Sequence, residues 1–304
     1  MSFDLYLRDP DSDTPSAERL KEYFAASLLF RINDLENGGA QFWYENQATG
    51  VYCDFSYCPR DSDEEVAGRS GTRLSFSLNY NRPSFFAYET MPLVQDFCEH
   101  FGLLVEDVQE ETVGAADSSQ LIGSWRKHNA WAVSALSEQE AMSLLYLPER
   151  TATQWWRYSR VRERIESSLS EDIFVPEMLI LQSPQRRLFT MIVWPKGIAQ
   201  FFPICDYVLI QREQKRFFRL KTDEEIGLVS YERVVDSLRS YLKEYDGPEG
   251  SIEYLSPREA GDVASVVQAY NLVPIELSSH SRVAPDGFID VEDVKRTSAP
   301  ERHS

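Results

Sequence analysis

Helix-forming and strand-forming segments occupy separate stretches of this 304-residue chain instead of alternating one by one. Leu74, Phe76 and Leu78, for example, alternate with polar residues, which is the period of a half-buried strand. Strand patterns of this kind cover 3–7, 41–46, 50–58, 72–80 and a series from 177 to 221. Helical periodicity covers 15–28, 91–101 and most of 121–169. Because doubly wound α/β folds alternate strands with helices, this segregation predicts an α+β fold with antiparallel sheets and segregated helices.

The length of the chain indicates two sub-domains, since single hydrophobic cores stop growing at roughly 250–300 residues. A polar, acidic segment at 106–120 is the predicted linker between them. We therefore expect an acidic N-terminal α+β domain over 1–115 and a second domain of helices plus an antiparallel meander over 116–275. Residues 276–304 have little to bury and are expected to form a largely mobile tail.

The meander is predicted from the short connections between the strand patterns of 177–221, because parallel crossovers need a dozen or more residues. Two of its strands are expected at 199–204 and 216–221. A helix is expected to follow over 231–245, where Val234, Leu238 and Leu242 recur at helical spacing.

Composition excludes several classes of protein. The chain is 42% hydrophobic and 12% aromatic, which is too apolar for a disordered acidic protein. Its first residues lack a basic, apolar signal sequence, and no window approaches the roughly 18 consecutive apolar residues of a membrane span. We therefore expect a cytoplasmic protein that has no membrane partner and keeps its four cysteines reduced.

Motifs for metal, nucleotide or nucleophilic chemistry are missing from the sequence. The chain has no HExxH, CxxC, GxSxG, P-loop or GxGxxG pattern, and no cysteine or histidine lies at metal-ligand spacing from His100 or His128. We therefore expect no catalytic residue, no metal and no cofactor, and a protein that is not an enzyme. A catalytic pair of carboxylates, as in glycosidases, stays open as an alternative. The chain has 49 acidic residues, so the sequence singles out no particular pair.

A basic stripe, formed by Arg157, Arg160 and Arg164, lies on one face of a predicted helix with Arg162 beside it. Such a stripe is either a phosphate-binding surface or a solvated helix face. The net charge of -18 repels nucleic acid, so we expect no nucleic-acid partner.

The negative charge is concentrated in the first half of the chain. Residues 1–150 carry 25 acidic and 11 basic side chains, an excess of 14, whereas residues 151–304 carry 24 and 20, an excess of 4. Two clusters contribute to this excess: Asp61, Asp63, Glu64 and Glu65 in the first, and Glu106, Asp107, Glu110 and Glu111 in the second. One interpretation is that these clusters are exposed loops whose charge keeps the protein soluble. The other is that they form a surface that captures a basic partner, because acidic patches accelerate association with cationic proteins.

Several aromatic segments together resemble a known family: TGVYCDFSY, LSFSLNYNRPSFFAYE, SWRKHNAWA, TQWWRYSR and IVWPKGIAQFFPICDYVLIQRE. Over about residues 1–215 the chain resembles bacterial immunity proteins of type VI secretion nuclease toxins of the restriction-endonuclease-like class, as found in pseudomonads. The resemblance implies a protein that binds and neutralises a cognate basic toxin in the cytoplasm. The resemblance does not identify which residues would contact the toxin. The eight acidic residues of the two clusters are therefore toxin-binding candidates on electrostatic grounds alone.

Two other functions stay open at this point. An adaptor or chaperone that loads an effector onto a secretion system would bind the same kind of partner without abolishing its toxicity. A hydrolase would present a concave pocket containing perturbed carboxylates or His128. The sequence leaves the oligomeric state open.

Overall fold

The computed structural model describes residues 1–10, 15–35, 38–59, 74–136, 140, 143–169, 172–195, 197–214 and 223–291. The chain divides into two compact units, the first comprising Met1–Leu144 and Pro285–Ser304 and the second Leu145–Ala284. Both units combine helices with largely antiparallel sheets, which confirms the α+β class.

The first unit is built on a seven-stranded sheet. Its strands are β1 (Ser2–Arg8), β2 (Phe30–Asp34), β3 (Ala40–Asn46), β4 (Val51–Tyr57), β5 (Leu74–Asn79), β6 (Leu104–Asp107) and β7 (Thr112–Ala115). Their order is β2-β3-β4-β5-β1-β6-β7, and all neighbours are antiparallel. Burial alternates along β1, β4 and β5, as the sequence period predicts, so the sheet buries one face.

Among its described residues, the first unit has the helices α1 (Ala17–Ala25), α2 (Phe85–Phe101) and α3 (Ser118–Ser134). An aromatic core joins α1 and α2 to the sheet, because the ring of Phe24 stacks on Phe42 at 4.3 Å and on Phe97 at 5.2 Å between centroids. Helix α3 packs against α2 and begins at Asp117, whose carboxylate accepts hydrogen bonds from the backbone N–H groups of the first turn.

The expected linker at 106–120 forms ordered structure in the first unit. It contains the end of β6, all of β7 and the start of α3. Since α3 packs against α2, the first unit continues to Leu144, beyond the boundary at 115 that the sequence suggests.

The chain returns to the first unit after residue 284, in a part of the segment expected to be mobile. Phe288 and Ile289 are each 1% exposed, and the carboxylate of Asp290 accepts hydrogen bonds from the backbone N–H (2.8 Å) and hydroxyl (3.0 Å) of Ser84. Ser84 precedes α2, whose N-terminal N–H groups favour a carboxylate. Residues 288–290 are therefore buried in the first unit and depart from the expectation for 276–304.

The second unit contains ten strands and four helices in the described part of the chain. The strands are β8 (Leu145–Tyr146), β9 (Leu179–Gln182), β10 (Leu188–Pro195), β11 (Gln200–Phe202), β12 (Tyr207–Gln214), β13 (Asp223–Ser230), β14 (Leu242–Gly247), β15 (Gly250–Leu255), β16 (Val273–Pro274) and β17 (Ser281–Arg282). The helices are α4 (Glu149–Ser168), α5 (Tyr231–Leu238), α6 (Pro257–Ala260) and α7 (Ala264–Ala269). One sheet has the order β16-β13-β12-β10-β9-β17 and another the order β11-β15-β14.

The pairing in the second unit departs from the expected meander at one place. Strands β9 and β10 are antiparallel, as are β12 and β13, but β10 and β12 run parallel. Strand β11, expected within the meander, pairs instead with β15 in the other sheet. The stretch around β11 thereby acts as a crossover, which is the connection that parallel neighbours require. The expected strand at 216–221 lies outside the described residues.

The expected helix over 231–245 is shorter in the structure. Helix α5 ends at Leu238, and β14 begins at Leu242 and pairs with β15 through a tight turn, in which Gly247 is opposite Gly250. Pairing with β15 overrides the local helical period of the residues that form β14. Of the helices described above, none combines the length and the apolar character needed to cross a membrane.

Candidate functional site

The two predicted acidic clusters differ in what the structure describes of them. The first cluster lies outside the described residues: Asp61, Asp63, Glu64 and Glu65. The second cluster is described and lies at the β6–β7 hairpin, near one end of the seven-stranded sheet: Glu106, Asp107, Glu110 and Glu111. The site is therefore built from the second cluster and the elements around it.

Glu106 and Asp107 have internal partners. The carboxylate of Glu106 forms an ion pair with Arg8 on the neighbouring strand β1. Asp107 is 4% exposed; its Oδ1 accepts a hydrogen bond of 2.9 Å from the backbone N–H of Gln109, and its Oδ2 accepts one of 2.6 Å from the hydroxyl of Ser124. Asp107 therefore shapes the turn and ties it to α3, as aspartates in tight turns commonly do.

Glu110 forms a second set of contacts between the hairpin and α3. Its Oε1 lies 2.7 Å from Nζ of Lys127 and 2.9 Å from Nε2 of His128. The hydrogen bond from Lys127, followed by that from His128, lowers the pKa of Glu110 below its ordinary value, so the carboxylate is ionised at neutral pH. Glu111 follows with a left-handed backbone (φ 55°) and an exposed side chain.

An open groove lies between the hairpin and α3, with a volume of about 500 Å³. One wall is the outer part of the sheet, where Val105 is opposite Gly114 and Asp107 is opposite Thr112. Directly opposite residues of an antiparallel pair share a face, so these four residues line the same side of the sheet. The other wall is the first three turns of α3.

Two glycines, Gly114 of β7 and Gly123 of α3, are among the residues that line the groove. A Cβ built on Gly114 in β7, or on Gly123 in α3, would meet no other atom within 4 Å. Packing in the described structure therefore requires neither glycine. A glycine inside a helix costs roughly 0.5–1 kcal/mol relative to alanine. In strands, a glycine often marks a place where another backbone or a ligand approaches closely.

The lining of the groove is negatively charged. It contains the carboxylates of Asp107, Glu110 and Asp117 and the ammonium of Lys127, which gives a formal charge of -3 + 1 = -2. Hydrogen bonds from Ser119 and Gln120 lower the pKa of Asp117, so this exposed carboxylate stays ionised. Since Lys127 is engaged by Glu110, its charge is already compensated.

Strand β7 forms one edge of the sheet, and within the described residues no strand pairs with its outer side. All four of its residues are exposed and uncharged, and Val113 is 55% exposed. The opposite edge, β2, carries charges: Arg31 pairs with Glu45, and Asp34 pairs with Lys21. Proteins protect edge strands with charges because an unpaired edge is a template for another chain, and β7 lacks that protection.

The basic stripe of α4 has mostly local partners. The guanidinium of Arg160 lies 4.8 Å from the ring centroid of Trp156 and forms an ion pair with Glu249. Arg162 pairs with Glu166 one turn along the helix. Arg157 and Arg164 are exposed. The stripe is thus partly the solvated helix face that the sequence offers as one interpretation.

The groove contains two carboxylates with lowered pKa values, Glu110 and Asp117, as the hydrolase alternative expects, while His128 and Ser124 are each bonded to a carboxylate. His128 contacts Glu110, and the hydroxyl of Ser124, one helical turn away, donates to Asp107. Neither is bonded to the other in the described structure, so the serine lacks the neighbouring base that a nucleophile needs. Among the described residues, no three histidine, cysteine, aspartate or glutamate side chains are grouped as a metal site requires.

Sequence reasoning singled out the acidic residues of 106–111 but placed them in a linker, and it did not single out Gly114 or Gly123. Gly123 gave a usable signal, because a glycine inside a predicted helix is unfavourable unless something requires it. A search with protein-family models finds no family that matches this chain, and searches of curated proteins and of solved structures find no significant relative.

Proposed function

We propose that this chain is a binding protein that captures a basic toxin and neutralises it in the cytoplasm of the producing cell, as immunity proteins do. One observation carries the proposal: an open groove with acidic walls lies beside an unprotected sheet edge, in the half of the chain that holds most of the negative charge. The resemblance described for residues 1–215 supports the toxin as the partner.

The charge of the chain suits a cationic partner. A net charge of -18 attracts a basic protein over a distance of several ångströms and increases its association rate, most strongly at low salt. Nucleases carry basic surfaces because they bind phosphates. An acidic protein that covers such a surface competes directly with the nucleic-acid substrate.

The carboxylates differ in how far they are available to a partner. Asp107 is buried, and Glu110 is paired with Lys127 and hydrogen-bonded to His128, so these two mainly hold the hairpin in place. Asp117 is exposed in the lining of the groove, and Glu111 is exposed in the adjacent hairpin. In this proposal they are the charges that meet the partner first.

The proposal requires a nuclease-toxin gene beside the gene for this chain, and co-expression with the product of that gene tests it. We expect growth to be restored and the purified pair to form a complex whose association slows as salt increases. Complex formation without restored growth would favour the effector-loading adaptor instead. Failure of the two proteins to associate would overturn the proposal.

Charge reversal tests which acidic cluster contributes. Changing Asp61, Asp63, Glu64 and Glu65 together to lysine, or Glu111 alone to lysine, should lower the association rate with that toxin at low salt, by roughly tenfold for the cluster. Glu163→Lys is the matched control, because Glu163 is an exposed residue of α4 in the second unit. An unchanged association rate for a reversed site would remove that site from the interface.

A further inference from the structure

We propose that the partner is held by strand addition: an extended segment of the partner pairs with the outer edge of β7, and its basic side chains enter the groove between β7 and α3. The inference rests on the proposed function for the identity of the partner and on the geometry of the hairpin for the mode of binding. An extended peptide that joins a sheet edge gains main-chain hydrogen bonds, while pockets for alternate side chains give specificity.

The edge of β7 suits a second strand better than the other edge of the same sheet. Its side chains are Thr112, Val113, Gly114 and Ala115, all exposed, none charged. Strand β2 has Arg31 and Asp34, both in ion pairs, along the corresponding edge. An added strand at β7 would cover the exposed side chain of Val113 and would pair backbone groups that now face solvent.

The groove provides space for the side chains on one face of the added strand. Side chains alternate between the two faces of a sheet, so every second residue of the partner segment would lie on the same side as Thr112 and Gly114. The groove on that side is lined by α3 as well, and a Cβ on either Gly114 or Gly123 would meet no other atom within 4 Å. A volume of about 500 Å³ accepts a few long side chains.

The charge of the lining selects those side chains. Its net charge of -2 includes the exposed, ionised carboxylate of Asp117, which follows β7 in the chain. Lysine or arginine at alternate positions of the segment would therefore be favoured, and glutamate or aspartate would be repelled. The partner segment is thus extended, with a basic residue at every second position.

Peptide titration tests this mode of binding without the toxin. The probe is a peptide of roughly eight residues, a typical strand length, in which lysine and valine alternate; the control peptide has glutamate in place of lysine. On binding of the lysine peptide, amide hydrogen exchange should slow by about tenfold or more at every second residue of 112–115, because only the N–H groups that point away from β6 become newly paired. Binding of the glutamate peptide with equal affinity would overturn the inference.

Backbone methylation separates strand addition from simple charge attraction. Two further peptides carry N-methyl groups on all lysines or on all valines, so that each blocks the donors along one edge of the peptide. One of the two should bind at least about tenfold more weakly than the parent, since it loses several hydrogen bonds to β7. Equal binding by all three peptides would show an electrostatic contact only and would overturn strand addition.

Filling the groove provides the matched test in the protein. Gly114→Leu and Gly123→Leu add a side chain where a Cβ meets no neighbour, so both variants should fold, as a thermal unfolding curve will show. Each should weaken the lysine peptide and the toxin by about tenfold or more. The control is Ala25→Leu, an exposed residue of α1, a helix that packs near the opposite edge strand β2.

The outcomes separate the two proposals. Peptide binding at β7 together with failure to neutralise the toxin would support strand addition and overturn the proposed function. Neutralisation that is unaffected by both leucine variants would support the function and overturn strand addition.

Discussion

The hydroxyl of Tyr44 donates a hydrogen bond of 2.8 Å to the carboxylate of Glu89, which is itself only 7% exposed. The same oxygen accepts hydrogen bonds from the side chains of Asn46 (2.7 Å) and Thr49 (3.0 Å) in the β3–β4 turn. One buried carboxylate on α2 therefore fixes the turn of a hairpin to the helix. Burial and the neighbouring Glu89 raise the pKa of Tyr44, so its hydroxyl stays protonated and remains a donor.

Tyr44→Phe should lower the free energy of unfolding by roughly 1.5–3 kcal/mol, because a hydrogen bond to a charged group is lost. Glu89→Ala should cost more, since three donors then lose their acceptor. Chemical denaturation measures both values. Tyr207→Phe is the control, because Tyr207 is 39% exposed, and its change should stay within about 0.5 kcal/mol. Equal effects of Tyr44→Phe and Tyr207→Phe would contradict the structural role of this bond.

Glu110 makes the attachment of the hairpin to α3 dependent on pH. Its pKa is below the ordinary value of 4.5 in the folded protein, so the ionised carboxylate stabilises the folded state above pH 4.5. This contribution is lost as the pH falls through the lowered pKa of the folded state. Glu110→Gln should therefore be less stable than the parent at pH 7, and the difference should disappear at pH values below the lowered pKa.

Thermal unfolding of Glu110→Gln across this pH range measures the effect, with Glu111→Gln as the control. Glu111 is exposed and follows Glu110 directly, so its neutralisation should leave the stability at pH 7 unchanged. A stability difference for Glu110→Gln that is constant with pH would exclude the ion pair as its cause.

Two glycines should respond in opposite ways to alanine. Gly123→Ala should stabilise the protein by roughly 0.5–1 kcal/mol, because alanine is the better helix former and its methyl group meets no neighbour. Gly50→Ala should destabilise it, because Gly50 has a φ of +65° and a Cβ there would lie 2.8 Å from Pro285. Melting temperatures of the two variants provide the measurement, and destabilisation by Gly123→Ala would show that the groove is more closely packed than described.

The cysteines should differ sharply in reactivity. Cys53, Cys98 and Cys205 are buried, and burial raises the pKa of each thiol, that of Cys98 to about 12. Cys58 is exposed. A thiol reagent at neutral pH should therefore modify one cysteine in the native protein and four after denaturation, since the thiolate is the reactive form. In Cys58→Ser the native reaction should vanish; persistence of a rapid native reaction would contradict the assigned burial.

Asp290 should contribute to the stability of the first unit although it lies near the end of the chain. Asp290→Ala removes both hydrogen bonds to Ser84 at the start of α2 and leaves a buried N–H group without this acceptor. We expect a loss of roughly 1–3 kcal/mol in chemical denaturation. Asp290→Asn keeps one acceptor oxygen and should therefore lose less unfolding free energy than Asp290→Ala. Equal losses for the two variants would indicate that packing, and not hydrogen bonding, is responsible.

The local period of the sequence predicted strands where one face is apolar. Leu74, Phe76 and Leu78 are all at most 1% exposed, as their alternation indicated. The same reasoning failed for 242–245, because β14 owes its conformation to pairing with β15, a contact that helical spacing cannot reveal. The acidic residues of 106–111 could be recognised in the sequence. Which of their carboxylates bond to other residues of the protein, and which are exposed to solvent, could not.

The sequence by itself determined the α+β class, most of the strands of the first unit and the concentration of negative charge in the first half, because periodicity and composition are local properties of the chain. Only the tertiary structure decided which segments meet. It pairs β10 with β12 in parallel, joins Asp290 to Ser84 although they are 206 residues apart, and brings Gly114 and Gly123 into the lining of one groove. Each of these relationships joins separate segments of the chain. Such contacts produce no local periodic pattern, so periodicity and composition cannot predict them.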